Sequence, residues 1–322
     1  MPQGSHIHPI DPDTHLVDTG LYRPGHTACY LLRQGEALAW IDCGAANGVP
    51  RLLGTLDALG FTPEQVRYIL PTHVHLDHGG GAGLLLQHCP NAVLATHHRG
   101  LPHLIDPEKL QRGAQAVYGK ARFEALFGAL LPAPKERCRA LRDGDTIDLN
   151  GRKLLFLDTP GHANHHGCLF DSDHGLLFTG DTFGLHYPEL DEAAGKPFLL
   201  ATTTPVAFDP EAWRHSLERM MALAPRKACL THFGPLDEPR RHLPLLLESL
   251  ELHERIALAE EHLEAEGRQE RLRDALKGAL LETLPGVDEG RLEALLGEDL
   301  TLNAQGLTVW LARRAKRREK RL

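Results

Sequence analysis

No stretch of this 322-residue sequence is apolar enough to cross a membrane. Its apolar runs are short, as in LPLLLESL, whereas a membrane-spanning helix needs about 18 consecutive apolar residues. The first residues, MPQGSHIHPIDPDTH, also lack the basic and apolar stretches of a signal peptide. We therefore expect a cytoplasmic protein without a membrane span.

Closely spaced cysteine pairs of the CxxC type are missing too. The chain is long enough to bury a sizeable core, so it needs no disulfide bonds to hold its fold. We predict that the six cysteines are reduced and mostly buried. They stand at Cys29, Cys43, Cys89, Cys138, Cys168 and Cys229.

Positive charge is in deficit, because 35 Lys and Arg residues against 43 Asp and Glu residues give a net charge of −8. This balance disfavours nucleic acid as a partner. The exception is Arg313 to Leu322, where seven Lys or Arg residues and one Glu give a local charge of +6. We interpret this tail as a solvated helix end, where the helix dipole favours cations, in preference to a phosphate-binding patch.

Short apolar segments that resemble strands alternate with amphipathic segments that resemble helices, which predicts an α/β fold. An Asn-Gly pair in DTIDLNGRKLLFLD predicts a two-residue hairpin. After Pro239 the pattern is amphipathic and charged, and breaks at Gly267 and Pro285 divide it into about three helices. We therefore predict a catalytic domain over residues 1–237 and a C-terminal helical extension over residues 238–322.

Histidine, in contrast, is abundant, and the segment THVHLDHGGGAG (residues 72–83) crowds three of the 21 histidines and an aspartate into six positions. The preceding QVRYIL reads as a strand, so His73 and His75 would point the same way, while Asp77 and His78 turn toward a neighbouring position. Imidazole and carboxylate groups are the usual ligands of borderline divalent metals. Two adjacent metal ions explain the crowding better than one, and we expect the trailing glycines to supply backbone freedom for the turn.

Three further candidates follow predicted strands: His162 in DTPGHANHH, Asp181 in LFTGDTFG and His232 in LTHFGP. Together with the first segment they reproduce the order HxHxDH, His, Asp, His. Over about residues 17–236 the sequence thereby resembles the metallo-β-lactamase-fold hydrolases. The resemblance implies a four-layered αββα sandwich, followed here by the helical extension, which would shape the pocket.

The resemblance also implies a ligand set for two metal ions. It assigns His73, His75 and His162 to one ion and Asp77, His78 and His232 to the other, with Asp181 as the bridging ligand. Asp42 matches the family's buried carboxylate, which would hold a ligand imidazole by its free N–H. A set without thiolate suits Zn²⁺, with Fe or Mn as alternatives.

Such a centre implies that a bridging hydroxide attacks an acyl carbon or a phosphorus atom, because metal binding lowers the pKa of water to near 7. Asp77 would orient the hydroxide and pass its proton to the leaving group. His166 could act beside the centre or toward substrate, or it could equally be an exposed loop residue. For His165 an exposed loop residue is the simpler interpretation.

Other polar residues have two interpretations. His186 and Tyr187 could donate to the substrate oxyanion, although packing is the simpler role for Tyr187. Residues 202–205, TTTP, could line the pocket or form a turn. His97 and His98 are expected to be exposed loop residues.

Within the family, the residues favour a hydrolase of a small-molecule ester, thioester or lactone. Asp181 and His78 disfavour the commonest zinc β-lactamases, which use a Cys ligand, and His75 disfavours the flavodiiron enzymes, which place Glu there. Two alternatives stay open: a mononuclear iron persulfide dioxygenase-like enzyme, and a non-catalytic ligand-binding or signal-response protein. A homodimer is also left open.

Overall fold

A computed structural model of the chain describes residues 6–203, 205 and 207–319. The described residues fall into two compact units. The first comprises the described parts of Met1–Asp158, His165–Gly180 and Leu223–Glu238; the second comprises those of Thr159–Asn164, Asp181–Ala222 and Pro239–Leu322. The helices that follow Pro239 thus share a unit with the segments that carry His162 and Asp181.

The first unit contains a seven-stranded sheet whose strands lie in chain order. Its first four strands are antiparallel, and the fourth to the seventh are parallel. The strands are β1 (Ile7–Asp11), β2 (Thr14–Asp18), β3 (Ala28–Gln34), β4 (Ala37–Ile41), β5 (Val66–Leu70), β6 (Val93–His97) and β7 (Cys138–Leu141).

Helices of the first unit follow these strands, as parallel connections require. They are α1 (Val49–Ala58), α2 (Leu76–Gly79), α3 (Ala82–His88), α4 (Leu101–Ile105), α5 (Glu108–Tyr118) and α6 (Lys120–Phe127). Apolar side chains of α1 and α3, such as Leu52, Leu56 and Leu86, form one buried core with Trp40 and Ile69 of the sheet.

A six-stranded sheet completes the first unit, in the order β15-β14-β11-β10-β9-β8. Its strands are β8 (Thr146–Leu149), β9 (Arg152–Asp158), β10 (Gly167–Asp171), β11 (Leu176–Gly180), β14 (Lys227–Leu230) and β15 (Gly234–Asp237). Asn150 and Gly151 connect β8 to β9 with φ angles of 53° and 99°, which confirms the predicted two-residue hairpin.

A buried arginine links the two sheets of this unit. Arg152 on β9 donates to Asp171 on β10 through Nε at 2.7 Å and forms an ion pair with it at 2.6 Å. The same guanidinium donates to the Thr14 hydroxyl at 2.8 Å and to the Asp13 and Arg33 carbonyls at 3.1 Å. Both charged side chains are fully buried.

The second unit is mostly helical. It contains a two-stranded sheet of β12 (Leu185–His186) and β13 (Leu199–Leu200), with α7 (Asp191–Ala194), α8 (Pro210–Ala222), α9 (Pro239–Ala259), α10 (Arg268–Thr283) and α11 (Glu289–Glu319). Three helices therefore follow residue 238 in the described chain, as predicted, whereas the division into domains 1–237 and 238–322 stays a prediction. No described helix is long and apolar enough to traverse a bilayer.

The basic tail forms the end of α11, which confirms its interpretation as a helix end over the residues described. Arg314 and Arg318 both pair with Glu261, at 2.7 and 3.1 Å. Residues 320–322 of the predicted tail lie outside the described chain.

The six cysteines form no disulfide bond in the described chain, and all but the partly exposed Cys138 are buried, as predicted. Burial raises the pKa of the Cys43 thiol well above its usual range, and the neighbouring Asp42 carboxylate raises it further. Cys43 is therefore protonated at neutral pH.

The expectation that His97 is an exposed loop residue is wrong. His97 is the last residue of β6 and is fully buried, with Nε2 3.2 Å from Asp158 Oδ1. Its Nδ1 accepts the Arg99 N–H at 3.0 Å. The strand ends one residue later than the NAVLAT pattern indicates and thereby carries this imidazole into the interior, while the half-buried His98 stacks on it.

Candidate metal centre

The His-rich segment follows β5 directly and forms a tight turn. His75 has extended backbone angles, φ −62° and ψ 154°, and precedes the first residue of α2. Its carbonyl accepts the Gly79 N–H at 2.8 Å, so one helical turn carries Asp77 and His78 back past the end of the strand. The local sequence of a strand followed by a one-turn helix therefore places four candidate ligands within six residues.

The glycines after this turn serve close packing, and the expectation of backbone freedom is wrong for them. None of Gly79, Gly80 and Gly81 has a positive φ angle. A Cβ on Gly81 would lie 2.7 Å from the Cys43 carbonyl oxygen and 2.8 Å from a methyl carbon of Val49. The loop between β4 and α1 can approach the turn because no side chain stands there.

Seven His and Asp side chains form two groups that could hold a metal ion. The first group is His73, His75, His162 and Asp181, and the second is Asp77, His78 and His232. Each side chain offers one ligand atom, and within each group these atoms lie within 4.8 Å of one another. The chemistry of these donors, imidazole nitrogen and carboxylate oxygen, fits divalent metal ions.

Within each group, nitrogen and oxygen atoms of different side chains lie close to one another. His73 Nε2 lies 2.8 Å from His75 Nδ1, and His162 Nε2 lies 3.2 Å from Asp181 Oδ2. In the second group, Asp77 Oδ2 lies 3.2 Å from His232 Nε2 and 3.7 Å from His78 Nε2.

Hydrogen bonds to the other ring nitrogen determine the tautomer of three of these imidazoles. Nδ1 lies 2.9 Å from Asp42 Oδ2 in His78, 2.8 Å from the Thr202 carbonyl in His162 and 2.9 Å from the His26 carbonyl in His232. Carbonyl and carboxylate oxygens only accept, so Nδ1 carries the proton in each ring. In the neutral ring, Nε2 is then the nitrogen with the lone pair that can bind a metal.

Asp42 is the acceptor on which the β5–α2 turn depends. Its Oδ1 accepts the Thr72 N–H and hydroxyl at 2.8 and 2.9 Å, and its Oδ2 accepts from His78 and from the Thr231 hydroxyl at 2.9 and 2.8 Å. All of these groups are buried. The carboxylate therefore has the contacts of a residue that orients a ligand imidazole.

We expect Asp42→Asn to weaken metal binding by about 10–100-fold, the usual effect of losing a partner behind a ligand. An amide nitrogen in place of either oxygen would face N–H and O–H donors, so the His78 ring would lose its anchor. The measurement is Zn²⁺ affinity by chelator competition on the purified protein.

Asp171→Asn is the matched control, because Asp171 is also a fully buried, hydrogen-bonded carboxylate but contacts none of the seven candidate ligands in the described chain. It should lose stability and keep its Zn²⁺ affinity. Equal affinities for Asp42→Asn and wild type would contradict the role of Asp42.

The two histidines predicted beside the centre differ in burial. His166 is fully buried, with its ring centroid 4.8 Å from that of His73, so the exposed-loop alternative is wrong for it. Gly180, at φ 48°, makes this possible, because a Cβ there would lie 2.5 Å from His166 Nε2. His165 is half-buried, with its ring 5.4 Å from His75.

Tyr187 is fully buried, and its hydroxyl donates to Asp299 Oδ2 at 3.4 Å. His186 contacts Asp191 Oδ2 through Nε2 at 2.9 Å. Burial supports the packing interpretation of Tyr187, and a role of either side chain toward an oxyanion stays a prediction.

Sequence reasoning missed two backbone acceptors, the carbonyls of His26 and Thr202. Their segments contain no motif that indicates this role, and the TTTP pattern predicts only pocket lining or a turn. Thr202 holds His162, whereas Thr204 lies outside the described residues.

The family model described as the metallo-beta-lactamase superfamily matches residues 22–232, which is more than half of the chain. A metallo-beta-lactamase fold-containing protein of Sulfurisphaera tokodaii is 28% identical over 247 residues, covering 74% of this chain and 85% of the relative.

Two relatives are named as hydrolases. A hydroxyacylglutathione hydrolase of Aeromonas hydrophila is 32% identical over 154 residues, covering 48% of this chain and 45% of the relative. An acyl-coenzyme A thioesterase of Homo sapiens is 32% identical over 186 residues, covering 51% of this chain and 61% of the relative. The chain thus spans less than two thirds of the length of either hydrolase.

Among solved structures, an archaeal metallo-beta-lactamase superfamily protein from Sulfolobus tokodaii matches with a TM-score of 0.63 and 22% identity. The match covers 92% of this chain and 98% of the other. At this identity the likeness concerns the fold, and it confirms the predicted mixed α/β sandwich class with two sheets and a C-terminal helical region.

Proposed function

Because this chain belongs to the metallo-beta-lactamase superfamily, we propose that it is a binuclear metal-dependent hydrolase that cleaves an ester, thioester or lactone of a small molecule. One observation carries the proposal. Three buried imidazoles, in His78, His162 and His232, each commit Nδ1 to an oxygen acceptor and turn Nε2 toward a carboxylate of a candidate ligand.

In the proposed centre, the group of His73, His75, His162 and Asp181 holds one ion, and the group of Asp77, His78 and His232 holds the other. Asp181 is proposed to be shared by both. Two divalent ions bring a charge of +4, whereas the two carboxylates bring −2, so the centre would favour negative charge that develops on a substrate oxygen.

When bound, such ions would lower the pKa of water to near 7 and would polarise an acyl oxygen. We propose Zn²⁺ as the natural occupant, with Fe or Mn as the alternatives. The protein's own contribution is to hold the ligand rings through Nδ1, so that Nε2 is the ring nitrogen that faces the candidate metal site.

Asp77 is proposed to handle the proton. Its side chain is 23% exposed, whereas those of His78 and His232 are 0% and 6% exposed, so within the second group it is the ligand that water and substrate can reach. One carboxylate oxygen faces the His232 imidazole. The other could orient the attacking water, accept its proton and deliver it to the leaving group.

The substrate class is supported by the names of the two hydrolase relatives, one of which is a thioesterase. We therefore rank thioesters and esters first, lactones next and phosphodiesters last. The cytoplasmic location and the homodimer stay predictions.

We expect the zinc-reconstituted protein to bind two metal ions per chain and to hydrolyse at least one member of a panel of aryl esters, acyl-coenzyme A thioesters, lactones and phosphodiesters. Metal content measured by mass spectrometry and product release by absorbance test this. Protein depleted with a chelator is the control, and it should regain activity when Zn²⁺ or Mn²⁺ returns.

A different result would decide among the alternatives. One iron per chain, with oxygen consumed on a persulfide and no hydrolysis, would replace the hydrolase with a dioxygenase. Two bound ions with no turnover of any class would favour a ligand-binding protein.

A further inference from the structure

The His162 imidazole is held from the side opposite its candidate metal-binding nitrogen. Nδ1 donates to the Thr202 carbonyl at 2.8 Å and lies 3.0 Å from the Thr202 hydroxyl. The ring is fully buried and packs against Trp213 in a T-shaped arrangement, with ring centroids 6.0 Å apart. The direction of Nε2 therefore depends on where the Thr202 carbonyl stands.

Asn303 on α11 grips the chain on both sides of Thr202. Its Nδ2 donates to the Ala201 carbonyl at 3.1 Å, and its Oδ1 accepts the Thr203 N–H at 2.6 Å. The Thr203 hydroxyl also donates to the Asn303 carbonyl at 3.0 Å. The carboxamide thus makes two hydrogen bonds of the kind that a paired strand would make. Its donor and its acceptor each serve one of the two peptide groups that flank residue 202.

A second buried residue orients the Asn303 amide. His253 on α9 directs Nδ1 to the Ser249 carbonyl at 2.7 Å, so its Nε2 is the acceptor that faces Asn303 Nδ2 at 3.2 Å. Burial lowers the pKa of His253 to about 4, which keeps the ring neutral at neutral pH. Asn303 Nδ2 consequently faces two acceptors and Oδ1 faces a donor, which excludes the flipped amide.

Ser249, one helical turn before His253, adds a fourth contact. Its hydroxyl accepts the Ala201 N–H at 2.9 Å. Two helices that follow residue 238 thereby supply the side-chain partners of the Ala201 N–H, the Ala201 carbonyl and the Thr203 N–H. A polar network buried this fully costs free energy unless each group is satisfied, and here each of these groups has a partner.

We propose that Asn303 is a positioning residue, which sets the direction of the His162 imidazole through the peptide groups around Thr202 and thereby sets the affinity of the candidate centre for its metal. This inference rests on the proposed function, in which His162 is a ligand. It gives the C-terminal helices a task that is distinct from shaping a pocket, because they hold a ligand from behind.

The test compares Zn²⁺ affinity, by chelator competition, in Asn303→Asp, Asn303→Ala and wild type. Asn303→Asp keeps the size and one acceptor but loses the donor to Ala201 and His253. We expect both variants to bind Zn²⁺ about 10–100-fold more weakly. Ser249→Ala removes one hydrogen bond and should show a smaller loss in the same direction, which keeps the test decisive if the Asn303 variants do not fold.

Leu311→Ala is the matched control. Leu311 is buried on the same helix, so its truncation loses core packing, but it makes no contact that the inference uses. It should lower the unfolding temperature and leave Zn²⁺ affinity at the wild-type value. A merely structural role for Asn303 would make its variants behave in the same way as Leu311→Ala.

His162→Ala distinguishes the positioning role of Asn303 from the assignment of His162 as a metal ligand. Loss of Zn²⁺ affinity in His162→Ala but not in the Asn303 and Ser249 variants would overturn the positioning role and leave the proposed function in place. Wild-type affinity and stoichiometry in His162→Ala would overturn the ligand assignment, and the inference would end with it.

Discussion

Asp181→Ala is expected to remove nearly all hydrolysis and to lower the bound metal from two ions per chain to one or fewer. Asp181 is the single residue proposed to serve both ions, and it is buried, with Oδ2 3.2 Å from His162 Nε2. Losing it would remove a negative charge from between the ions and open one coordination position. A loss of several kcal/mol of transition-state stabilisation corresponds to about 10³-fold or more in kcat/KM.

Asp191→Ala is the control for this experiment. Asp191 lies ten positions further along the chain and also contacts a histidine, with Oδ2 2.9 Å from His186 Nε2, but it belongs to neither candidate metal group. It should keep two ions and most of the turnover. Two bound ions and full turnover in Asp181→Ala would refute the bridging role.

Arg152→Met is expected to lower the free energy of unfolding by about 3–5 kcal/mol, the typical effect of leaving one buried charge without its partner. The substitution would remove the ion pair with Asp171 and also the hydrogen bonds that join the two sheets through Thr14 and two backbone carbonyls. Urea unfolding followed by circular dichroism measures the change.

The comparison is Lys196→Met, which breaks an exposed ion pair. Lys196 Nζ lies 3.5 Å from Glu248, and both side chains are more than half exposed, so its loss should change stability by less than about 1 kcal/mol. Similar unfolding curves for the two variants would show that the buried pair contributes no more than an exposed one. Substituting both Arg152 and Asp171 with apolar residues should recover part of the loss, because no buried charge then remains unpaired.

Local sequence patterns were enough to predict much of the fold. The hairpin at Asn150 and Gly151, the strand before the His-rich turn and the three helices after residue 238 depend on turn chemistry and on apolar spacing within about ten residues. His97 shows the limit of this reasoning. Its polar ring suggests exposure, but the Asp158 carboxylate, 61 positions away, and the Arg99 N–H provide partners for it in the interior.

The turn after β5 shows a second limit. Three glycines in a row suggest unusual backbone angles, yet all three have ordinary ones, and the absence of a side chain matters because Cys43 and Val49 come close. Sequence shows that space is left free but not which neighbour occupies it.

The sequence alone determined which groups could bind metal and in what order along the chain, because ligand chemistry belongs to residue types and short motifs place them at strand ends. Only the tertiary structure decided what holds those groups. The Thr231 hydroxyl reaches Asp42 across 189 positions, and Asn303 reaches Thr203 across 100. Partners so far apart leave no local pattern, since each is selected by the packing of elements that meet only after the chain has folded.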